Sequence, residues 1–408
     1  MNVLKAAIVG LALISGNTLV RADVITDWNT TAMDVMKAVN VAGNPWTRSM
    51  ALVNVSMSDA VNSVQNKYSR YTATELAIDP NASAEAAAAA AAREILMRQY
   101  PGQKARVDAD FAETMQAIPD NPARVAGIAL GEKVAAAVFT ERQSDATNAP
   151  DTYRPLTTPG VWVPTTLPLF PQYATAKPWG MDSASQFRPA PPPALNSALY
   201  ARDYNETKEM GGVKSTKRTD AQSDAVRFWT QANLGPAWFQ AAWQVSARRG
   251  LSVAESARVF ALMSMALANC FIVDWDAKFQ YNFWRPITAI RNGDQDGNDA
   301  TERDAGWQPL NATPMHPEYP SQAGINGGAA RGVLEAVFGS GPEGFVATDI
   351  SDARLSRQFT SFAQMDQEQK EVRIWGGIHF RNSLEVGEAM GRKIADHLVA
   401  NYMKPPTR

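Results

Sequence analysis

Eleven of the chain's 25 prolines fall between Pro150 and Pro193. Proline lacks a backbone N–H and fixes φ, so this stretch can be neither a helix interior nor a central strand. It also carries Trp162, Phe170, Trp179 and Phe187. That many large aromatics fit an ordered, irregular wrap over a helical bundle better than a flexible linker. On both sides of it, helical signals dominate. The alanine-rich run Asn81 to Tyr100 is stopped by Pro101-Gly102. Asn121-Pro122 is a cap and first-turn pair, after which Leu130, Val134 and Val138 share a face. Ser252 and Glu255 form a capping box opening a long apolar helix towards Asp274. Further helices are predicted at 322–338, 351–373 and 383–402. No segment sustains strand alternation, so the expected fold is all-α. Its helical regions are 23–149 and 201–408, with the wrap at 150–200 between them.

The 408 residues are 45% hydrophobic and 20% charged, which suits a globular chain with a substantial core. A net charge of −2 lacks the positive excess that nucleic-acid binding requires. The single cysteine, Cys270, excludes an intrachain disulfide and any thiolate-rich metal site. Residues 1–22 read as an export signal: Lys5, an apolar stretch from Ala6 to Ser15, then Val20-Arg21-Ala22 as a small-x-small cleavage site. The expected location is therefore the periplasm or the extracellular space. The other apolar stretch, Val259 to Val273, is too short to span a bilayer and reads as a buried core helix, not an integral membrane segment.

Three short segments carry the chemistry. In KFQYNFWRP, Lys278 and Arg285 are seven residues apart, which on a continuous helix puts both cations on nearly one face. The surrounding Phe279, Tyr281, Phe283 and Trp284 suggest burial, and buried cations need an anion. In HPEYPSQAG, Pro320-Ser321 opening a helix aims a hydroxyl and free N–H groups at one spot, an anion-binding geometry that is equally a plain N-cap. His316 reads as a loop residue. In RIWGGIHF, Gly376-Gly377 can break a helix so that Arg373 and His379 converge. His397 reads as structural. Asn292, Asp294, Asp296 and Gly297 resemble the start of a calcium loop, but Arg303 stands where its bidentate glutamate is required, so a turn-rich loop is expected.

In this order the three segments resemble the signature of the vanadium-dependent haloperoxidases and the related type 2 phosphatidic acid phosphatases: Lys-x6-Arg-Pro, then Pro-Ser-Gly-His, then Ser-Arg-x5-His. The stretches Gln186 to Leu195, Arg291 to Asn298 and HPEYPS are similar to bacterial haloperoxidase-like members. The resemblance implies a helical-bundle fold holding one vanadate, or phosphate in the same place. Lys278, Arg285 and Arg373 would bind its equatorial oxygens, and Ser321 and the Gln322 N–H would add hydrogen bonds. His379 would be the axial vanadium ligand, or the phosphoryl-accepting nucleophile of a phosphatase. Implied partners are small molecules: peroxide with a halide or organic acceptor, or a phosphate ester. Helical bodies of this kind often pair, so a homo-oligomer is possible.

The chain also departs from the signature. The acid–base histidine falls on Ala323, Gln322 replaces glycine, Glu371-Val372 stands where a serine precedes the arginine, and Ser383 replaces an aspartate four residues after the last histidine. Glu385 is the nearest carboxylate in sequence that could orient neighbouring groups. Three functions follow: a vanadate-dependent peroxidase with altered or weak activity, an acid phosphatase using His379, or a non-catalytic oxyanion-binding protein.

Overall fold

The computed structural model describes residues 23–406, apart from 73–75, 77, 165, 232–233 and 351. The expected export signal, 1–22, lies outside the described residues. Five helices come first: α1 (Val24–Ala38), α2 (Asn44–Gln65), α3 (Ala84–Gln99), α4 (Lys104–Gln116) and α5 (Pro122–Glu141). Beyond the proline-rich stretch come α6 (Ala198–Gly211), α7 (Asp220–Gln231), α8 (Leu234–Arg249), α9 (Val253–Tyr281) and α10 (Pro286–Arg291). The last three are α11 (Gln322–Phe338), α12 (Phe362–Trp375) and α13 (Arg381–Asn401). The fold is mostly helical, as expected.

Local signals set several boundaries. Ser83 caps α3 and Asn121 caps α5, each accepting a first-turn N–H. The α9 capping box forms: Ser252 accepts the Glu255 N–H, while the Glu255 carboxylate takes the Ser252 N–H at 2.8 Å. Ser252→Ala is expected to cost about 1 kcal/mol, read by denaturant unfolding. The helix then runs 29 residues and packs against α2 and α11 at the centre of the core. Its most apolar window is long enough to cross a membrane, yet 94% of that window is buried inside the protein.

One expectation is corrected. The helix expected over 351–373 begins only at Phe362; among the described residues before it, β1 (Phe345–Thr348) and β2 (Ser356–Phe359) pair antiparallel, Phe345 opposite Phe359. Four-residue strands give too little alternation to stand out in the sequence. The free edge of β1 is closed by two side chains of α8. Gln244 and Gln240 each exchange a pair of amide hydrogen bonds with the backbone of Val346 and Thr348 respectively. That arrangement satisfies an edge that would otherwise be open to pairing.

The proline-rich stretch is ordered and lies against α9. Trp162 and Trp179 are buried, and Asn269 of α9 makes two 2.7 Å hydrogen bonds with the Trp179 backbone. Trp275 of α9 donates to the Leu169 carbonyl at 2.8 Å, and the Trp162 N–H donates to the Asn282 carbonyl at 2.8 Å. From α5's end, Arg142 donates to the Pro178 and Lys177 carbonyls with its guanidinium 4.0 Å from the Trp179 ring centroid. His397 is structural: its Nε2 meets the Gly180 carbonyl at 2.8 Å. The wrap thereby fixes the flank of the helix that delivers Lys278.

Candidate oxyanion site

Four elements converge on one buried cluster of charge. Lys278 lies in the last turn of α9, which ends at Tyr281 because Asn282 turns into the left-handed region. Arg285 lies beyond that break, as the residue capping α10. The two cations therefore do not share a helix face, as their spacing had suggested; a turn folds them together. Lys278 Nζ donates to the Glu318 carbonyl at 2.9 Å and to the Pro320 carbonyl, with Asp274 Oδ1 at 3.6 Å. Arg285 donates to the His316 and Ile378 carbonyls at 2.9 and 2.7 Å. Its remaining contacts are imidazole nitrogens, His379 Nε2 at 3.1 Å and His316 Nδ1 at 3.0 Å.

The glycine pair acts as expected. The α12 helix ends at Trp375, Gly377 takes a positive φ of 75°, and His379 follows in the turn before α13. His379 is buried with Nδ1 2.8 Å from Glu318 Oε1. Arg373 keeps its place in the last turn of α12, and its charge acts on both Arg285 and His379. Ser321 is the N-cap residue of α11, but its hydroxyl makes no capping bond. The first-turn N–H groups of α11, including that of Gln322, have no intrahelical acceptor by helix geometry.

Burial dominates the electrostatics. It pulls Lys278 down to about 8, and Arg285 and Arg373 down to about 10. It pushes Asp274 and Glu318 up to about 7, against the opposing pull of Lys278 and Arg285. His316 and His379 lie well below the ordinary histidine value, through burial first and the neighbouring cations second, so both rings are neutral. Three cations face two carboxylates. Among the described residues neither Arg285 nor Arg373 makes an ion pair, so the cluster retains an unmatched positive charge.

Three donors in this region are sealed from water without an acceptor: Ser321 Oγ, Gln322 Nε2 and Arg373 Nε. Orphaned buried donors are costly and rare; only Arg373 of the three is charged, and the cluster also holds buried acceptors without a hydrogen bond, Asp274 Oδ1 and Oδ2 and Glu318 Oε2. An oxyanion would answer the three donors, so their chemistry is compatible with vanadate or phosphate.

Sequence reasoning overlooked two participants and the burial of a third, which does lie in a loop as read. Asp274 and Glu318 are fully buried in the cluster, whereas Glu385 is exposed and orients nothing there. His316, read as a loop residue, is buried, with its ring 4.8 Å from that of Trp275. The one available signal was the placement of Glu318 and His316 within five residues of Ser321. In the turn-rich loop, the Asp296 carboxylate is taken up by the Asn298 N–H and the Thr301 hydroxyl.

A profile described as the VCPO second helical-bundle domain matches residues 258–406, the stretch that holds all of these groups. Over 94% of this chain and 98% of the other, the crystal structure of a bacterial vanadium-dependent iodoperoxidase superposes with a TM-score of 0.78 at 26% identity. The chain is similar to vanadium haloperoxidases in its fold and over residues 258–406. A holo-type bacterial vanadium-dependent chloroperoxidase shares the haloperoxidase-like fold, with a TM-score of 0.68 at 17% identity over 87% of this chain and 90% of that one. The vanadium chloroperoxidase of Curvularia inaequalis is 29% identical over 169 residues, which is 34% of the haloperoxidase-like chain and 28% of that protein's length.

Proposed function

We propose that the chain is an exported vanadate-dependent peroxidase in which Lys278, Arg285, Arg373, Ser321 and Gln322 would hold the oxyanion and His379 would supply its imidazole ligand. The observation that carries this reading is the sealed guanidinium Nε of Arg373, unaccompanied by any carboxylate among the described residues. The three cations neutralise the oxyanion's charge, and the Ser321 hydroxyl and Gln322 amide complete its hydrogen bonds. When bound, vanadate supplies the Lewis acidity that polarises peroxide towards a halide or organic acceptor. The departing oxygen needs a proton, and the methyl group of Ala323 can supply none. Slow turnover follows.

An imidazole whose Nε2 acts as the acceptor, here towards Arg285 Nη1 at 3.1 Å, also suits a phosphoryl acceptor, which keeps an acid phosphatase as the second reading. Orthovanadate titration of the full chain, followed by peroxide-dependent bromination and aryl phosphate hydrolysis, separates the two. Saturable vanadate binding with bromination is expected. Hydrolysis without bromination selects the phosphatase, binding without turnover leaves an oxyanion carrier, and no binding removes the reading. Arg373→Ala should weaken vanadate binding by roughly 10- to 100-fold, the size of a lost charge-assisted hydrogen bond.

A further inference from the structure

His379 is held at both nitrogens. The Arg285 guanidinium can only donate, so His379 Nε2, 3.1 Å from Nη1, accepts. A neutral ring then carries its proton on Nδ1, and Nδ1–H donates to Glu318 Oε1 at 2.8 Å. The same oxygen accepts the Phe380 N–H at 2.9 Å, locking the carboxylate to the backbone beside the imidazole. Ser383, one helical turn on, holds only a hydroxyl 3.5 Å from Nδ1. Glu318 itself is fully buried.

We propose that Glu318 is the positioning residue of this site: it holds His379 in the Nδ1–H form with the Nε2 lone pair on the Arg285 side, where the oxyanion would lie, a task that Ser383 cannot perform. The idea rests on the function proposed above for its consequence, though not for its geometry. It explains why a carboxylate persists beside a cage built for anions. A bare negative charge there opposes vanadate binding, whereas a carboxylate that orients the imidazole supports it. The two roles predict opposite signs when the charge is removed.

The test uses the full chain labelled with 15N-histidine, whose three imidazoles keep the spectrum assignable. The wild type should show His379 as the Nδ1–H tautomer. Glu318→Gln should mix or reverse that tautomer, because a glutamine amide can donate to Nδ1 as readily as accept from it. Orthovanadate affinity should fall by about 10- to 100-fold, as for other partners of metal-bound histidines. Glu318→Gln with Ser383→Asp restores a carboxylate one turn away and should recover both tautomer and most of the affinity. Glu318→Asp, which keeps the charge but retracts it by one methylene, should lose an intermediate amount and serves if the glutamine variant does not fold. An unchanged tautomer, or vanadate binding that is unchanged or tighter in a folded Glu318→Gln chain, overturns the proposal. If the wild type binds neither vanadate nor phosphate, the function proposed above fails, and the tautomer spectra alone still decide for or against Glu318.

Discussion

Ala323→His is expected to raise peroxide-dependent bromination by about 10²–10⁴-fold, the usual contribution of a positioned general acid–base group. Ala323 lies in the first turn of α11, two residues after Ser321, and is 3% exposed. Its carbonyl accepts from Gln369 Nε2 at 2.8 Å, and Gln369 Oε1 in turn accepts the Trp238 indole N–H at 2.9 Å. The backbone at this point is therefore tethered. The gain should appear in kcat, because protons move in the reaction and not in vanadate binding. Added volume in a buried setting costs about 1–3 kcal/mol of stability. Ala323→Asn separates the two effects: it brings a similar packing cost with no titratable group, so it should lower Tm without raising turnover. If Ala323→His binds vanadate normally and gains nothing, the missing proton carrier is not what limits this chain.

Much of the architecture was legible because short-range chemistry writes it. Capping residues at Ser252 and Asn121 mark helix starts, and the span of α11 follows from Pro320-Ser321 at one end and Gly339 at the other. The cationic residues were also legible, since lysine and arginine among aromatics signal buried charge. What connects them was not. Arg285 reaches Lys278 through a left-handed turn at Asn282 that a helical wheel cannot represent. Glu318 meets His379 across 61 residues, and a lone glutamate in an irregular loop has no periodicity to betray its burial. Sequence order pointed instead to Glu385, one turn into α13, where the helix turns it to solvent. The strand pair 345–348 and 356–359 escaped notice because its strands are too short to show alternation and the β1 edge is closed by Gln240 and Gln244, about a hundred residues earlier.

The largest stability effect is expected where two backbones touch. Ser321 opens α11 and His379 stands just before α13, so the packing of these two helices sets the distance between hydroxyl donor and imidazole. They approach through glycine. A Cβ built on Gly391 would lie 2.1 Å from the Ile325 carbonyl oxygen and 2.6 Å from the Ala329 nitrogen, both backbone atoms that no rotamer change can move aside. At an open helical site, glycine to alanine gains up to about 1 kcal/mol in propensity. Here the clash outweighs that gain, because relieving it requires one helix to shift against a close-packed core. Gly391→Ala should therefore lose about 2 kcal/mol or more, read as a lower denaturant midpoint with m unchanged. Gly102→Ala is the control: nothing lies within 4 Å of its Cβ and its φ is not positive, so stability should stay within about 0.5 kcal/mol. Gly391→Ala should also weaken orthovanadate binding, although residue 391 lies three helical turns from His379, because parting α11 from α13 draws Ser321 away from the imidazole. A variant that loses stability yet keeps full vanadate affinity would show that the donors on α11 do not share their guest with His379.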